Sequence, residues 1–217
     1  MVNDPAAHSA IPCSLPACWP WQASCSQSAG FSHAPAEKLS RRLLRTVQDR
    51  LGSGLEFAFF SDSGSTAVEV ALKMAIGYFA HSGTPRTKIL AFEGGYHGDT
   101  FGTMSAGGRS IYNKLYEPLL FEVEHLPFPK RGEERKTLEA LYRYLKKSGP
   151  ETAAFVFEPL VQGAAGMRSY PAKLLNAMAA LCREHGVLLI ADEVMTGFGR
   201  TGTMFACQQA KFLPDLL

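Results

Sequence analysis

The sequence predicts an α/β fold, a three-layer sandwich built on a mainly parallel sheet. Three observations carry this reading. From about Phe31 onward, strand-like and helix-like patterns alternate, the signature of parallel strands joined by helical crossovers. The strand-like runs are short and apolar throughout, as strands covered on both faces must be. Polar or glycine-rich stretches follow several of them, where open α/β sheets bind ligands.

The elements follow in order. Residues 36–51 form a basic amphipathic segment that predicts a helix, and Gly52 and Gly54 lead from it into an expected strand at Phe57-Ala58-Phe59-Phe60. Val68, Ala71, Leu72, Ala75, Ile76 and Phe79 then recur at helical spacing as one buried stripe. Thr66 and Glu69 are read as the capping box of that helix. Further strands are expected at 88–92, 153–157 and 187–191. A helix precedes each of the last two. Residues 133–147 carry Leu138, Leu141, Tyr142 and Leu145 on one side, and 171–185 begin with proline and stop at Gly186. Residues 94–120 are rich in glycine and polar groups, so loops and one short helix are expected there.

Composition bounds the function. With 217 residues, 46% hydrophobic and 19% charged, the chain can bury a real core. A formal charge of +2, evenly spread, argues against capture of nucleic acid or a membrane surface and for a small-molecule partner. No apolar run approaches the roughly 20 residues a membrane helix needs. Residues 1–30 differ from the rest: Asp4 is their only charge, and they hold both tryptophans with Cys13, Cys18 and Cys25. Pro12, Pro16 and Pro20 interrupt any signal-like run, and this segment is expected to be disordered and unrelated to the remainder. His8, Cys13, Cys18, Cys25 and His33 match no zinc spacing, so no metal site is assigned. With only Cys182 and Cys207 further on, a reducing, cytoplasmic compartment is the expectation.

Three constellations carry chemistry. Asp62-Ser63-Gly64-Ser65-Thr66 lies where a strand-like run turns into a helix. The free N–H groups and dipole of a helix start can seat a phosphate, and Gly64 lets the backbone approach; the same residues also suit simple capping. Glu158 and Asp192 each follow an apolar run and are separated by one helical crossover, so they should be neighbours on one sheet edge. Such a carboxylate can hold a protonated ring nitrogen; capping a turn or binding magnesium is the other reading. Gly94-Gly95-Tyr96-His97-Gly98-Asp99-Thr100 should reach the same edge, with Tyr96 offering a ring to stack and His97 either an acid–base group or a structural hydrogen-bonder. Gly197-Phe198-Gly199-Arg200-Thr201-Gly202 fits the dinucleotide fingerprint in letters but not in spacing, since residues 192–196 intervene after the strand.

Together these stretches resemble the class III pyridoxal-phosphate aminotransferases, most closely the adenosylmethionine-8-amino-7-oxononanoate branch of biotin synthesis. The resemblance runs from about Phe31 to Leu217. It is carried by Phe59-Phe60-Ser61-Asp62-Ser63-Gly64-Ser65-Thr66-Ala67-Val68-Glu69, by Gly95-Tyr96-His97-Gly98-Asp99-Thr100-Phe101-Gly102, and by Ile190-Ala191-Asp192-Glu193-Val194 leading to the Gly197 segment. It implies part of a fold-type I large domain over 31–217, with Gly64 and Ser65 on the phosphate of pyridoxal 5'-phosphate, Tyr96 stacked on its ring, Asp192 on its nitrogen and Glu158 in support. Ala164 stands where ornithine-type relatives have a second Glu, which favours the biotin branch. The implied reaction moves the amino group of S-adenosylmethionine to 8-amino-7-oxononanoate, giving 7,8-diaminononanoate, in a homodimer. In the family the Schiff-base lysine follows the segment resembling Phe212-Leu213-Pro214-Asp215-Leu216-Leu217, so the catalytic lysine is expected to be absent from this sequence and the chain to be an inactive fragment. Lys73 and Lys211 are expected on the solvated surface, unsuited to replace it.

Overall fold

The computed structural model describes residues 34–52, 54–111 and 113–217. The expected disorder of residues 1–30 and the His8, Cys13, Cys18, Cys25 and His33 set lie outside them. The chain runs α1 (Ala34–Leu51), α2 (Gly64–His81), β1 (Lys88–Phe92), α3 (Phe101–Ala106), a 3-10 turn (Lys114–Leu119), β2 (Glu124–Leu126), α4 (Glu134–Ser148), β3 (Thr152–Phe157), β4 (Val161–Gln162), β5 (Arg168–Ser169), α5 (Ala172–Glu184), β6 (Leu188–Ala191) and α6 (Cys207–Ala210). The main sheet has the order β2-β1-β3-β6, every neighbouring pair parallel. No helix among the described residues is long and apolar enough to cross a membrane.

The pleat sends alternate side chains to opposite faces, and each face is covered. Ile89, Ala91, Val156 and Ile190 meet Val68, Leu72, Ala75 and Phe79 of α2. Leu90, Phe92, Phe155 and Phe157 meet Leu141 and Leu145 of α4 and Leu175 and Met178 of α5. Three layers result, and the uniformly apolar runs of β1 and β3 are the direct consequence. Each fully buried Leu or Phe contributes about 1.5–3 kcal/mol.

Two local expectations are corrected. Phe57-Ala58-Phe59-Phe60 forms no strand, and Phe57 and Phe59 are half exposed. An aromatic run becomes a strand only when a ladder partner lies beside it, and none does among the described residues. The capping box of α2 is Ser63 with Thr66, not Thr66 with Glu69. The Ser63 hydroxyl accepts from Thr66 N–H (3.2 Å) and Thr66 Oγ1 accepts from Ser63 N–H (2.9 Å). The helix starts at Gly64, so Thr66 is already its third residue, and Glu69 is left free for another partner. The β4–β5 hairpin was not foreseen, being too short for a periodicity.

At the N-terminal edge of the sheet, Arg86 closes the structure. Its guanidinium donates to the carbonyls of Gly149, Thr152, His185 and Gly186 at 3.0–3.3 Å and lies 4.2 Å over the Phe79 ring.

Residues 215–216 run along the outer side of β6. Leu189 N–H donates to Asp215 Oδ2 (2.7 Å), and Leu189 O accepts from the N–H groups of Asp215 and Leu216 (2.9 and 3.1 Å). Burial pushes the Asp215 carboxyl up from 3.8 to about 6, against the opposing pull of Leu189 N–H and Arg183. The folded chain therefore holds this proton more tightly than the unfolded chain. Stability from this group is full below the unfolded value and is lost as pH rises through about 6, a loss of about 3 kcal/mol at 1.36 kcal/mol per unit. Asp215→Asn should therefore melt with the parent near about pH 4 and above it at about pH 8. A difference between the two that does not change with pH would refute this assignment.

Candidate active site

β3 and β6 pair in register from Ala154↔Leu188 to Phe157↔Ala191, so the residues that follow them emerge side by side. Asp192 N–H donates to Phe157 O at 2.9 Å, which makes Glu158 and Asp192 the neighbours their spacing predicted. Both are buried, at 5% and 8% exposure. Glu158 ties two loops together: Oε1 accepts from Tyr96 N–H (3.2 Å) and Oε2 from Gly163 N–H (2.8 Å). Burial raises its pKa, opposed by those two donors and by His97, while the charge of Asp192 adds to the rise.

Asp192 is held from two sides. Its Oδ2 lies 2.7 Å from His97 Nδ1, and its Oδ1 accepts from Val194 N–H at 3.1 Å. His97 is buried, which supports the structural reading of this residue; its hydrogen bond fixes the carboxylate. Each carboxylate oxygen can accept more than one bond, so Asp192 retains acceptor capacity beyond these two partners.

The loop after β1 joins them. Gly98 has φ +126, and a Cβ there would fall on Ser65 at the start of α2. The contact is matched by a hydrogen bond from Asp99 N–H to Ser65 Oγ (3.2 Å). Tyr96 is half exposed, with its hydroxyl donating to Asp99 Oδ2 at 3.0 Å; that bond, with some burial and the Asp99 charge, raises the phenol pKa. Gly64 completes the closure, since a Cβ on it would lie 3.1 Å from Val194 Cγ2. The serine-glycine turn, the Tyr96 loop and the Asp192 loop are thus in contact on one edge of the sheet. All five sequence-derived site residues, Gly64, Ser65, Tyr96, Glu158 and Asp192, belong to this cluster or border it.

Three contributors were not foreseen. Glu193, buried, accepts from Thr196 Oγ1 (2.7 Å) and from the N–H groups of Ala206 and Cys207 (3.0 and 2.9 Å), pinning the Asp192 loop to the start of α6. Val194 packs on Gly64 and holds Asp192. Glu69 accepts from Gly102 N–H and the Thr100 hydroxyl. The glycines at 64 and 102 were the legible signal for close approach, without naming what approaches.

Residues 197–202 are turns: Gly199 and Gly202 have φ +95, Phe198 φ 54, and the next helix starts only at Cys207. The fingerprint-like letters therefore open no phosphate-binding helix. A groove of about 550 Å³ is lined by Leu160, Met167, Tyr170, Met195, Arg200 and Gln209 among others, and by none of the five site residues. Lys73 and Lys211 are both exposed. Cys182 and Cys207 are buried and unpaired, their thiols pushed up by burial. No group of three or more His, Cys, Asp or Glu able to hold a metal occurs among the described residues.

A covered parallel sheet whose open edge joins a helix-start turn, an exposed aromatic ring and a buried carboxylate defines a cofactor-binding α/β domain. The chain belongs to the class III aminotransferase family, whose description "Aminotransferase class-III" matches residues 21–217. The adenosylmethionine-8-amino-7-oxononanoate aminotransferase of Synechococcus elongatus is 50% identical over 197 residues, covering 87% of this chain and 45% of the relative. That of Nitratidesulfovibrio vulgaris is 43% identical over 203 residues, covering 87% and 36%. Among solved structures, the enzyme of that name from Methanocaldococcus jannaschii superposes with a TM-score of 0.77 at 35% identity, over 88% of this chain and 42% of the other. An amine transaminase from an uncultivated Pseudomonas species, in its PLP-bound form, gives 0.78 at 34% identity over 86% and 44%. The chain spans less than half the length of these relatives.

Proposed function

We propose that residues 31–217 are the cofactor-holding part of an aminotransferase large domain and bind pyridoxal 5'-phosphate at the Gly64–Tyr96–Asp192 edge. The observation that carries this is the buried Asp192 carboxylate, oriented by His97 and Val194 beside the start of α2. The residues fit the group. Ser63 spends its oxygens on Thr66 and Ala67 N–H, so the Gly64 and Ser65 N–H groups remain to meet a phosphate. Ser65 Oγ accepts from Asp99, which leaves its own proton for a phosphate oxygen. Tyr96 presents a ring tethered at both ends, by Glu158 on its N–H and Asp99 on its hydroxyl. The Asp192 side chain, beside the start of α2, would favour a protonated ring nitrogen.

Bound there, pyridoxal phosphate supplies an aldehyde and an electron-withdrawing ring, the chemistry by which amino groups are exchanged. The protein's part is to anchor the phosphate, flank the ring and hold the proton on its nitrogen. The names of the relatives and Ala164 support transfer from S-adenosylmethionine to 8-amino-7-oxononanoate as the role of the whole enzyme. A second reading, a non-catalytic chain that binds the cofactor or associates with a homologue, is favoured by the exposure of Lys73 and Lys211, since a nucleophilic lysine needs desolvation or a neighbouring cation.

The test is titration of the purified chain with pyridoxal phosphate, followed by borohydride reduction and peptide mapping. Saturable binding is expected, at least about tenfold tighter than for pyridoxal without its phosphate, with neither Lys73 nor Lys211 labelled. Absence of saturable binding would refute the cofactor reading. Specific labelling of either lysine, with amino transfer, would refute the non-catalytic one.

A further inference from the structure

We infer that Glu69 is a positioning residue which, with Ser65 one turn earlier on α2, fixes the 96–102 segment and so sets where the Tyr96 ring stands. Its consequence for the cofactor rests on the pyridoxal-phosphate reading; its geometry does not. Residues four apart share one helix face, and Ser65 and Glu69 use that face to receive three donors from residues 99–102. Ser65 Oγ takes Asp99 N–H (3.2 Å), Glu69 Oε2 takes the Thr100 hydroxyl (3.2 Å) and Glu69 Oε1 takes Gly102 N–H (3.1 Å).

The fit is close, because a Cβ on Gly102 would fall on the Glu69 carboxylate. The arrangement also answers a local need. Thr100, the residue preceding α3, makes no side-chain cap to its own helix, and the N–H groups of a helix start need acceptors. Glu69 supplies one from the neighbouring helix. Asp99, held on Ser65, in turn receives the Tyr96 hydroxyl. The α2 face therefore sets, together with Glu158 on the Tyr96 N–H, the distance between the phosphate-side turn and the aromatic ring. Without Glu69, α2 would hold residues 99–102 through the Ser65 bond alone among the described residues, while Glu158 and Asp192 would still hold Tyr96 and His97.

The experiment compares parent, Glu69→Ala and Glu69→Gln by hydrogen exchange of the ligand-free chain and by titration with pyridoxal phosphate and with inorganic phosphate. In Glu69→Ala, amides 99–104 should exchange about tenfold faster or more while the middle of α2 is unchanged, as expected for loss of charge-assisted bonds. Affinity for pyridoxal phosphate should fall about tenfold and that for inorganic phosphate stay within about twofold. Glu69→Gln, which keeps an acceptor for Gly102, should remain within about threefold of the parent in both readouts. Unchanged exchange in Glu69→Ala overturns the inference, as does unchanged cofactor affinity or a glutamine variant as impaired as the alanine one. If Glu69→Ala does not fold, Glu69→Asp, which withdraws the carboxylate by one methylene, must give the same two changes. A parent chain that binds no pyridoxal phosphate retires the cofactor reading alone, and the exchange comparison then decides the role of Glu69.

Discussion

Asp192→Asn should lower affinity for pyridoxal phosphate by about tenfold to a hundredfold while leaving affinity for inorganic phosphate nearly unchanged, the loss expected when a charge-assisted bond becomes a neutral one. The substitution keeps size and shape. One amide oxygen can still accept from Val194 N–H, as Asp192 Oδ1 does at 3.1 Å. The amide nitrogen would then face His97 Nδ1, 2.7 Å from the present Oδ2, and the imidazole would have to turn a lone pair toward it. What cannot be restored is the negative charge facing a ring nitrogen. Folding should survive, because the substitution keeps the size of the side chain and leaves polar partners for both Val194 N–H and His97. Parallel calorimetric titrations with the two ligands separate the outcomes. If both affinities fall together, the substitution has disturbed the edge as a whole; if the ring absorbance and affinity are unchanged, Asp192 does not pair with the nitrogen.

That Asp192 could be singled out from the sequence reflects where information about this fold resides. β1, β3 and β6 are legible because 89–92, 153–157 and 188–191 are apolar runs of strand length, and only a doubly covered strand demands that. The helical crossover between β3 and β6 then fixes that Glu158 and Asp192 share an edge. Partners across long separations are not legible in the same way: His97 and Asp192 lie 95 residues apart, and no spacing rule relates them. Phe57 and Phe59 mark the converse failure. Their aromatic density has strand character, yet they are half exposed in an unpaired segment, because ladder formation depends on a neighbour the local sequence does not encode. Glu69 shows a third kind of limit. A Thr followed three residues later by Glu is a capping signature, but Ser63 satisfies the helix start first, and the carboxylate one turn on serves another element.

The glycine at 98 offers the most severe test of how the loop and the turn are joined. Gly98→Ala combines two penalties. Its φ of +126 is one that L side chains rarely adopt, a strain of about 1–3 kcal/mol. The added methyl would also overlap Ser65 at its Cα as well as its side chain, so no rotamer change relieves the contact, and such overpacking costs a further 1–3 kcal/mol or so. Gly83→Ala is the control, because Gly83 also has positive φ, +72, but nothing lies within 4 Å of its added Cβ. Gly83→Ala should therefore show the strain alone, about 1 kcal/mol, whereas Gly98→Ala should lose about 3 kcal/mol or more, roughly 6–12 °C in melting temperature for a domain of this size. If the loop instead moves aside, the Asp99–Ser65 hydrogen bond must break, and the stability loss would be exchanged for a loss of cofactor affinity. Equal melting temperatures for the two alanine variants, together with unchanged pyridoxal-phosphate binding by Gly98→Ala, would mean that the Tyr96 loop and the serine-glycine turn do not meet in solution.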